Sequence, residues 1–190
     1  MDIREKILQA AARCYCRGGF RGTTTRKVAS EAGVNEVTVF RHFGSKEALM
    51  REAIGRTWSE LECPAPPDNP ADAVKELTAW AIGFTEGIRA AAPLIRTRMG
   101  EYEQHPEIAP AEGSLPARAA AAVAAYLMAL RERGLTSVRF DAQAAAAMLI
   151  GALFTDAIAR EGMPDMFSGS AEAGISEYVR VFLRGIGVSV

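Results

Sequence analysis

Residues 23–49 contain the pattern that most restricts how this chain can fold. Two short helical segments, starting near Thr25 and near Asn35, are separated by Gly33, whose missing Cβ permits the positive φ of a tight turn. Helices that cross steeply on so short a turn need small and apolar side chains where they meet. The residues that supply these contacts are Val28, Ala29, Ala32, Val34, Val39 and Phe43. The segment therefore predicts a compact pair of helices with a shared apolar side.

With the apolar side turned inward, the second helix of this pair presents short polar side chains outward. These are Asn35, Glu36, Thr38, Arg41 and His42. Such side chains at the front of a helix suit the major groove of DNA. Thr24, Thr25 and Arg26 start the first helix, where hydroxyls, backbone N–H groups and the positive helix end can meet phosphate. Lys46 is placed to meet the DNA backbone on the other flank. The alternative to DNA binding is that the segment is a three-helix core with a solvated polar face.

The charge distribution is uneven along the chain. Residues 1–56 carry 11 Lys and Arg against 6 Asp and Glu, a balance of +5, whereas the whole chain has a net charge of -1. A basic head on an acidic body favours a polyanionic partner for the head. Chance variation in surface charge is the alternative.

Almost all of the chain outside this segment predicts helix as well. A first helix runs from about Asp2 to Arg17 and ends at Gly18-Gly19, and a fourth runs from Ser45 to about Leu61. The prolines of 63–70 exclude helix and predict a loop. Five further helices are predicted over 71–90, 93–104, 116–133, 141–161 and 171–186. We expect an all-α fold with a three-helix head, residues 1–46, and a helical-bundle body, residues 47–190.

The residues that enzymes and metal sites need are scarce. The chain has two histidines, His42 and His105, no Gly-rich phosphate loop and no His-Glu-x-x-His. Its three cysteines include no Cys-x-x-Cys, so we expect no catalytic residue, no metal and no cofactor. The N-terminus lacks an apolar leader, and the uncharged stretch 142–155 is shorter than the ~20 residues that span a bilayer. We expect a cytoplasmic protein without a membrane partner.

Three motifs in the first third of the chain are closely similar to those of a known family. They are Thr24-x-Arg26-x-Val28-Ala29, then Ala32-Gly33-Val34, then Ser45-Lys46-Glu47-x-Leu49. Over about Ile7 to Ile54 the chain resembles the helix-turn-helix DNA-binding domain of the TetR family of transcriptional regulators.

This resemblance implies a role for each matching residue of the head. Thr25 and Arg26 would contact the operator from the first helix of the pair, whereas Glu36, Val37 and Thr38 would face base edges. Phe40, His42 and Lys46 would lie against the phosphate backbone. The family usually has tyrosine where this chain has Phe40, which has no hydroxyl to offer a phosphate. Glu36 repels phosphate, and we expect it either to accept a hydrogen bond from a cytosine amino group or to be a solvated bystander.

The body is expected to form a dimer. The segment 141–161 is apolar nearly all round, so it needs cover both from its own core and from a partner, unless it is the central helix of a monomer. The resemblance implies that the last two helices pair with their copies as a four-helix interface. The predicted interface residues are Met148, Gly151, Phe154, Ile158, Tyr178, Val179, Phe182 and Leu183.

The resemblance also implies a pocket in the body for a small molecule. Candidate lining residues are Trp58, Trp80, Phe84, Met99, Tyr102, Tyr126 and Phe154, with Arg96, Arg98 and His105 as polar contacts. Such a lining favours an apolar or aromatic effector. The expected function is a repressor that binds a palindromic operator in double-stranded DNA as a homodimer and is released by this effector. The alternative is a DNA-binding architectural or adaptor protein without an effector.

Overall fold

The computed structural model describes residues 2–60, 64–101, 103–106, 115–167 and 169–189. Within these ranges the chain forms nine α-helices and no strand, which confirms the predicted all-α fold. In chain order the helices are α1 (Ile3–Gly22), α2 (Thr25–Ala32), α3 (Glu36–Phe43), α4 (Lys46–Glu60), α5 (Ala73–Ala90), α6 (Ala92–Glu101), α7 (Leu115–Glu132), α8 (Ala142–Ala159) and α9 (Ala171–Gly185).

Local capping fixes the ends of α2 and α3. The Thr24 hydroxyl oxygen accepts a hydrogen bond from the Lys27 N–H at 3.2 Å, and the Asn35 side-chain oxygen accepts one from the Val37 N–H at 2.9 Å. These bonds satisfy backbone donors that the first turn of a helix leaves without partners. Gly33 ends α2 in the left-handed conformation, with φ +68° and ψ 35°. The turn predicted at Gly33 is therefore present.

By packing, the chain divides into two compact units. The first comprises Met1–Leu61 and Ala91–Ser114, and the second comprises Glu62–Ala90 and Leu115–Val190. This division falls elsewhere than the functional boundary that we predict after residue 46, because α4 and α6 both pack on α1. The first unit therefore contains α1–α4 and α6, and the second contains α5 and α7–α9.

The core of the first unit is built around α1, which contacts α2, α4 and α6. Its most deeply buried side chains are Ile7, Tyr15, Val28, Val39, Leu49, Met50 and Ile54, all at most 1% exposed. Leu94 of α6 belongs to the same cluster. A helix that begins about thirty residues after the end of α4 thus completes the core of the first unit.

The break predicted at Gly18-Gly19 is present. Helix α1 is interrupted at Gly19, where φ is +63° and ψ is -171°, and a further helical turn continues to Gly22. The Phe20 N–H donates to Glu101 Oε1 at 2.7 Å, so a carboxylate from α6 satisfies a donor at the bend. An added Cβ at Gly19 would overlap the same Glu101 oxygen. Burial, and then the neighbouring Glu101 carboxylate, raise the pKa of the Tyr15 hydroxyl well above its usual value.

The second unit is a bundle in which α5 packs on α8 and α9 while α7 packs on α8. Side chains with no exposed surface occupy its centre. They include Leu77, Ala81, Ile88, Ala119, Val123, Leu127, Leu130, Ala146, Leu153, Val179 and Leu183.

A buried acid lies inside this bundle. Asp156 of α8 has no exposed surface, and its carboxylate is ion-paired to Arg160 at 2.5 Å and to Arg89 at 3.3 Å. The Tyr178 hydroxyl donates to Asp156 Oδ2 at 2.9 Å. Burial acts to raise the pKa of Asp156, but the hydrogen bonds from Arg160 and Tyr178 outweigh it and hold the pKa below its usual value. A Cβ at Gly174 would lie 2.9 Å from Arg160 Nη2, so glycine keeps room for this cluster.

Candidate nucleic-acid interface

Helix α3 has one buried side and one side open to solvent. Val39 and Phe43 are 1% and 9% exposed and anchor the helix to the first unit's core. Val37 is 72% exposed and Phe40 is 48% exposed. Among the other predicted contact residues, Asn35 and Arg41 are exposed, whereas Glu36, Thr38 and His42 are partly buried. Each of these residues thus keeps at least part of its surface exposed to solvent. Their contact with DNA stays a prediction.

The start of α2 is joined to the start of α3 by a side-chain hydrogen bond. The Thr25 hydroxyl donates to Glu36 Oε1 at 2.6 Å. Its hydrogen is therefore not available to a phosphate in this structure, and Thr25 keeps only its backbone N–H for the predicted contact. Thr24 uses its oxygen as an acceptor at the helix cap and retains its hydroxyl hydrogen, and Arg26 is exposed. Sequence reasoning treated Thr25 and Glu36 as independent residues and missed this pair.

Lys46 begins α4 and is directed towards an aromatic ring. Its Nζ lies 4.0 Å from the centroid of the Phe20 ring, and the His105 ring centroid lies 4.3 Å from the same ring. Burial lowers the pKa of the Lys46 amine, although Glu47 and Glu101 oppose the shift. A cation over an aromatic face is stabilised by the ring quadrupole. For the predicted phosphate contact, the Lys46 side chain would have to leave this position.

The predicted dimer residues divide into exposed and buried groups. Met148 is 64% exposed, Gly151 is exposed, and Phe154, Ile158 and Tyr178 are partly buried. The prediction was wrong for the other three residues, because their side chains have almost no surface to offer a partner. These are Val179, Phe182 and Leu183, with 0%, 5% and 0% of their surface exposed. Val181, which sequence reasoning missed, is 58% exposed on α9.

Helix α8 exposes Met148 and several small residues. Its 18 residues have a mean hydropathy of 1.5, so by length and composition the helix meets the criterion for a membrane span. The buried Asp156, ion-paired to two arginines, lies within those 18 residues and favours a bundle helix instead. The exposed small residues next to Met148 are Ala144, Ala147, Gly151 and Ala152. Small residues on a helix surface permit a second helix to approach closely.

The candidate pocket residues belong to both units. Trp58 packs against the first unit's core and Met99 is 57% exposed in that unit. Trp80, Phe84, Tyr126 and Phe154 belong to the second unit, and Tyr102 lies outside the described residues. The Trp80 and Phe84 rings stack with centroids 5.3 Å apart. The seven residues are therefore not gathered in one unit, and the ligand pocket stays a prediction.

Among the described residues, no three His, Cys, Asp or Glu side chains are grouped so that they could hold a metal ion. Of the polar residues proposed beside a ligand, Arg98 is 5% exposed and His105 is partly buried, and both belong to the first unit with Arg96.

Sequence comparison places the head in a known family. Residues 7–53 match the family model described as bacterial regulatory proteins, tetR family. The chain is also 39% identical over 60 residues to the HTH-type transcriptional repressor AcnR of Corynebacterium efficiens, a match that covers 30% of this chain and 32% of AcnR. The chain thus matches about a third of the length of the curated relatives.

Structural comparison extends the similarity over the rest of the chain. The flavonoid-responsive regulator FrrA has a TM-score of 0.73 and 21% identity, with 96% of each chain covered. A TetR family transcriptional regulator from Pseudomonas syringae has a TM-score of 0.71 and 23% identity, with 95% of each chain covered. At such identities the likeness establishes the fold alone. Residues 7–53 therefore match the head of the TetR family, and the chain as a whole shares the fold of these regulators.

Proposed function

We propose that this protein is a transcriptional repressor that binds a palindromic operator as a homodimer and is released by a small apolar or aromatic effector. The observation that carries the proposal is α3, which exposes Asn35, Val37 and Arg41 while Val39 and Phe43 anchor it. This helix lies within the segment that matches the family model. The charge balance of +5 over residues 1–56 favours a polyanionic partner. We propose that the protein acts in the cytoplasm, where its DNA is.

Selection of bound sites from random duplex DNA at about 150 mM salt tests this proposal, because protein–DNA affinity depends steeply on salt. A palindrome with half-sites about 34 Å apart, or a multiple of that, is the expected result for a dimer with two reading heads. Failure to enrich any sequence, with or without candidate effectors, would contradict it. Enrichment that no small molecule reverses would favour a DNA-binding adaptor without an effector.

Two substitutions in the head separate positioning on DNA from the reading of bases. Arg26→Ala is expected to weaken binding to all duplexes alike and to lower the slope of log affinity against log salt by about 1, because one phosphate contact is lost. Thr38→Ala is expected instead to change the preferred bases. Fluorescence anisotropy with the selected site and with scrambled duplexes measures both effects. Wild-type affinity for the selected site in both variants would rule out the proposed interface.

A charge on the exposed face of α8 is expected to break the dimer. Met148→Glu would bury a carboxylate between two copies of α8, next to Gly151 and Ala152. The variant is expected to sediment as a monomer and to lose about 10²–10⁴-fold in operator affinity, since two linked heads bind with avidity. Met128→Glu is the matched control, because Met128 is 43% exposed on α7. If the Met148→Glu protein remained a dimer, the interface would have to lie elsewhere than on this face of α8.

The aromatic residues of the second unit favour an aromatic effector. The Trp80 indole N–H donates to the Pro64 carbonyl oxygen at 2.7 Å, and the Tyr126 hydroxyl donates to Glu76 Oε2 at 2.8 Å. These bonds satisfy the polar ends of both side chains, whose rings lie buried in the second unit. FrrA, which shares the fold, is named as flavonoid-responsive. A rise in melting temperature with flavonoids or other small aromatic compounds is the expected result, because a ligand that binds only the folded state stabilises it.

A further inference from the structure

We propose that Glu36 reads a cytosine in each operator half-site, and that Thr25 orients the carboxylate for this contact. The inference rests on the proposed function and names the base that one residue of the interface recognises. It starts from the 2.6 Å hydrogen bond between the Thr25 hydroxyl and Glu36 Oε1, which links the first residue of α2 to the first residue of α3.

This bond distinguishes the two carboxylate oxygens of Glu36. A carboxylate accepts hydrogen bonds through two oxygens. Oε1 is occupied by Thr25, whereas Oε2 has no hydrogen-bond partner among the described residues. The side chain is partly buried, with exposed Asn35 and the 72% exposed Val37 as its chain neighbours. One acceptor oxygen is thus held at the open end of α3 by a neighbouring helix.

The chemistry of a fixed acceptor selects among the bases. Guanine offers N7 and O6 in the major groove and thymine offers O4, all of which are acceptors that would repel Oε2. Adenine offers its N6 amino group between two acceptors, its own N7 and the O4 of the paired thymine, whereas cytosine offers its N4 amino group beside one acceptor, the O6 of the paired guanine. Oε2 also repels phosphate oxygens, so contact with the DNA backbone is unfavourable. Cytosine is therefore the base that satisfies this oxygen with the least competing repulsion.

A purely structural role for Glu36 predicts a different outcome. The carboxylate lies in the first turn of α3, where a negative charge is stabilised by the helix dipole. If that were its whole role, Glu36→Gln and Glu36→Ala would change stability and overall affinity but leave the preferred bases unchanged. The two roles are therefore separated by base preference and not by affinity.

The experiment repeats the site selection with the wild-type protein and with Glu36→Gln, Glu36→Ala, Thr25→Val and Thr25→Ser. The wild type is expected to enrich cytosine at one position of each half-site and to lose about 5- to 150-fold in affinity when guanine or thymine replaces it. Glu36→Gln is expected to accept guanine and thymine there, because an amide can present either its oxygen or its NH₂ group. Thr25→Val leaves the carboxylate free to rotate, so its discrimination is expected to be weaker than that of Thr25→Ser, which keeps the hydroxyl.

The outcomes distinguish this inference from the proposed function. Relaxed preference at one position only, with every other position of the half-site unchanged, supports the reading of cytosine by Glu36. A palindromic site whose bases are identical for the wild type, Glu36→Gln and Glu36→Ala would overturn the inference and leave the operator-binding function intact. If the wild type enriches no site, the proposed function fails and the inference fails with it. A double-mutant cycle between Glu36→Ala and the cytosine substitution should show non-additive losses.

Discussion

Replacing Asp156 by alanine is expected to lower the free energy of unfolding by about 3–5 kcal/mol, because it leaves buried arginine charge without its partner. The carboxylate has no exposed surface and holds Arg160, Arg89 and the Tyr178 hydroxyl at once. Arg160 is the most affected, since its side chain is only 18% exposed. Urea unfolding followed by far-UV circular dichroism measures the loss, with Glu177→Ala on the exposed side of α9 as a control expected within about 0.5 kcal/mol of wild type.

The pH dependence of stability gives a second measurement on the same residue. The folded-state pKa of Asp156 lies below its usual value, so the ionised carboxylate stabilises the fold above the unfolded pKa of about 3.9. That contribution is lost as the pH falls through the folded-state pKa. Between about pH 5 and pH 2 the wild type should therefore lose more stability than Asp156→Asn. Parallel curves for the two proteins, or an Asp156→Ala protein as stable as wild type, would contradict this account.

Gly19→Ala is expected to lower the free energy of unfolding by about 2–4 kcal/mol, because two separate costs arise at one position. The backbone angles of Gly19, φ +63° and ψ -171°, fall in a region that is accessible almost only to glycine. The new Cβ would also displace the Glu101 carboxylate from the Phe20 N–H. The melting temperature and the affinity for the operator should both decrease. Gly18→Ala is the matched control, since a Cβ added at Gly18 would meet no other atom within 4 Å and alanine there should be neutral or stabilising.

A double-mutant cycle separates the two costs at Gly19. Glu101→Ala removes the overlap but leaves the unfavourable backbone angles, so Gly19→Ala should cost less in that background than in the wild type. The difference measures the steric part of the effect. Strict additivity would show that the carboxylate and the glycine are not coupled, and a Gly19→Ala protein as stable as wild type would show that the bend is not required.

What could be predicted from the sequence depended on how far apart the interacting residues lie. Thr24, Gly33 and Asn35 act on backbone groups within a few positions, and the helices that they bound were predicted to within a residue or two. The break at Gly19 was predicted as well, but the hydrogen bond that Glu101 accepts there could not be, because Glu101 is 81 positions away from Phe20. In physical terms, a glycine pair predicts where a helix is interrupted but not which distant acceptor satisfies the donors that the interruption frees.

The predicted interface shows a second limit of sequence patterns. The apolar spacing of α9 identifies a buried face but does not say whether the cover is the chain's own core or a partner. Val179 and Leu183 are covered by their own unit, whereas Val181, between them in sequence, is 58% exposed. The pairing of Thr25 with Glu36 was missed for a related reason, since each residue alone was compatible with a DNA contact.

The place of α6 in the first unit has a consequence for how such a head can be exchanged between proteins. A fragment that ends after α4 contains the complete helix-turn-helix, yet it lacks Leu94 from its core and Glu101 from the bend of α1. Recombination at a single crossover after residue 60 would therefore join a head to a foreign α6. Exchange of DNA specificity is simpler within α2 and α3, where residues can vary without altering the surface that α6 covers.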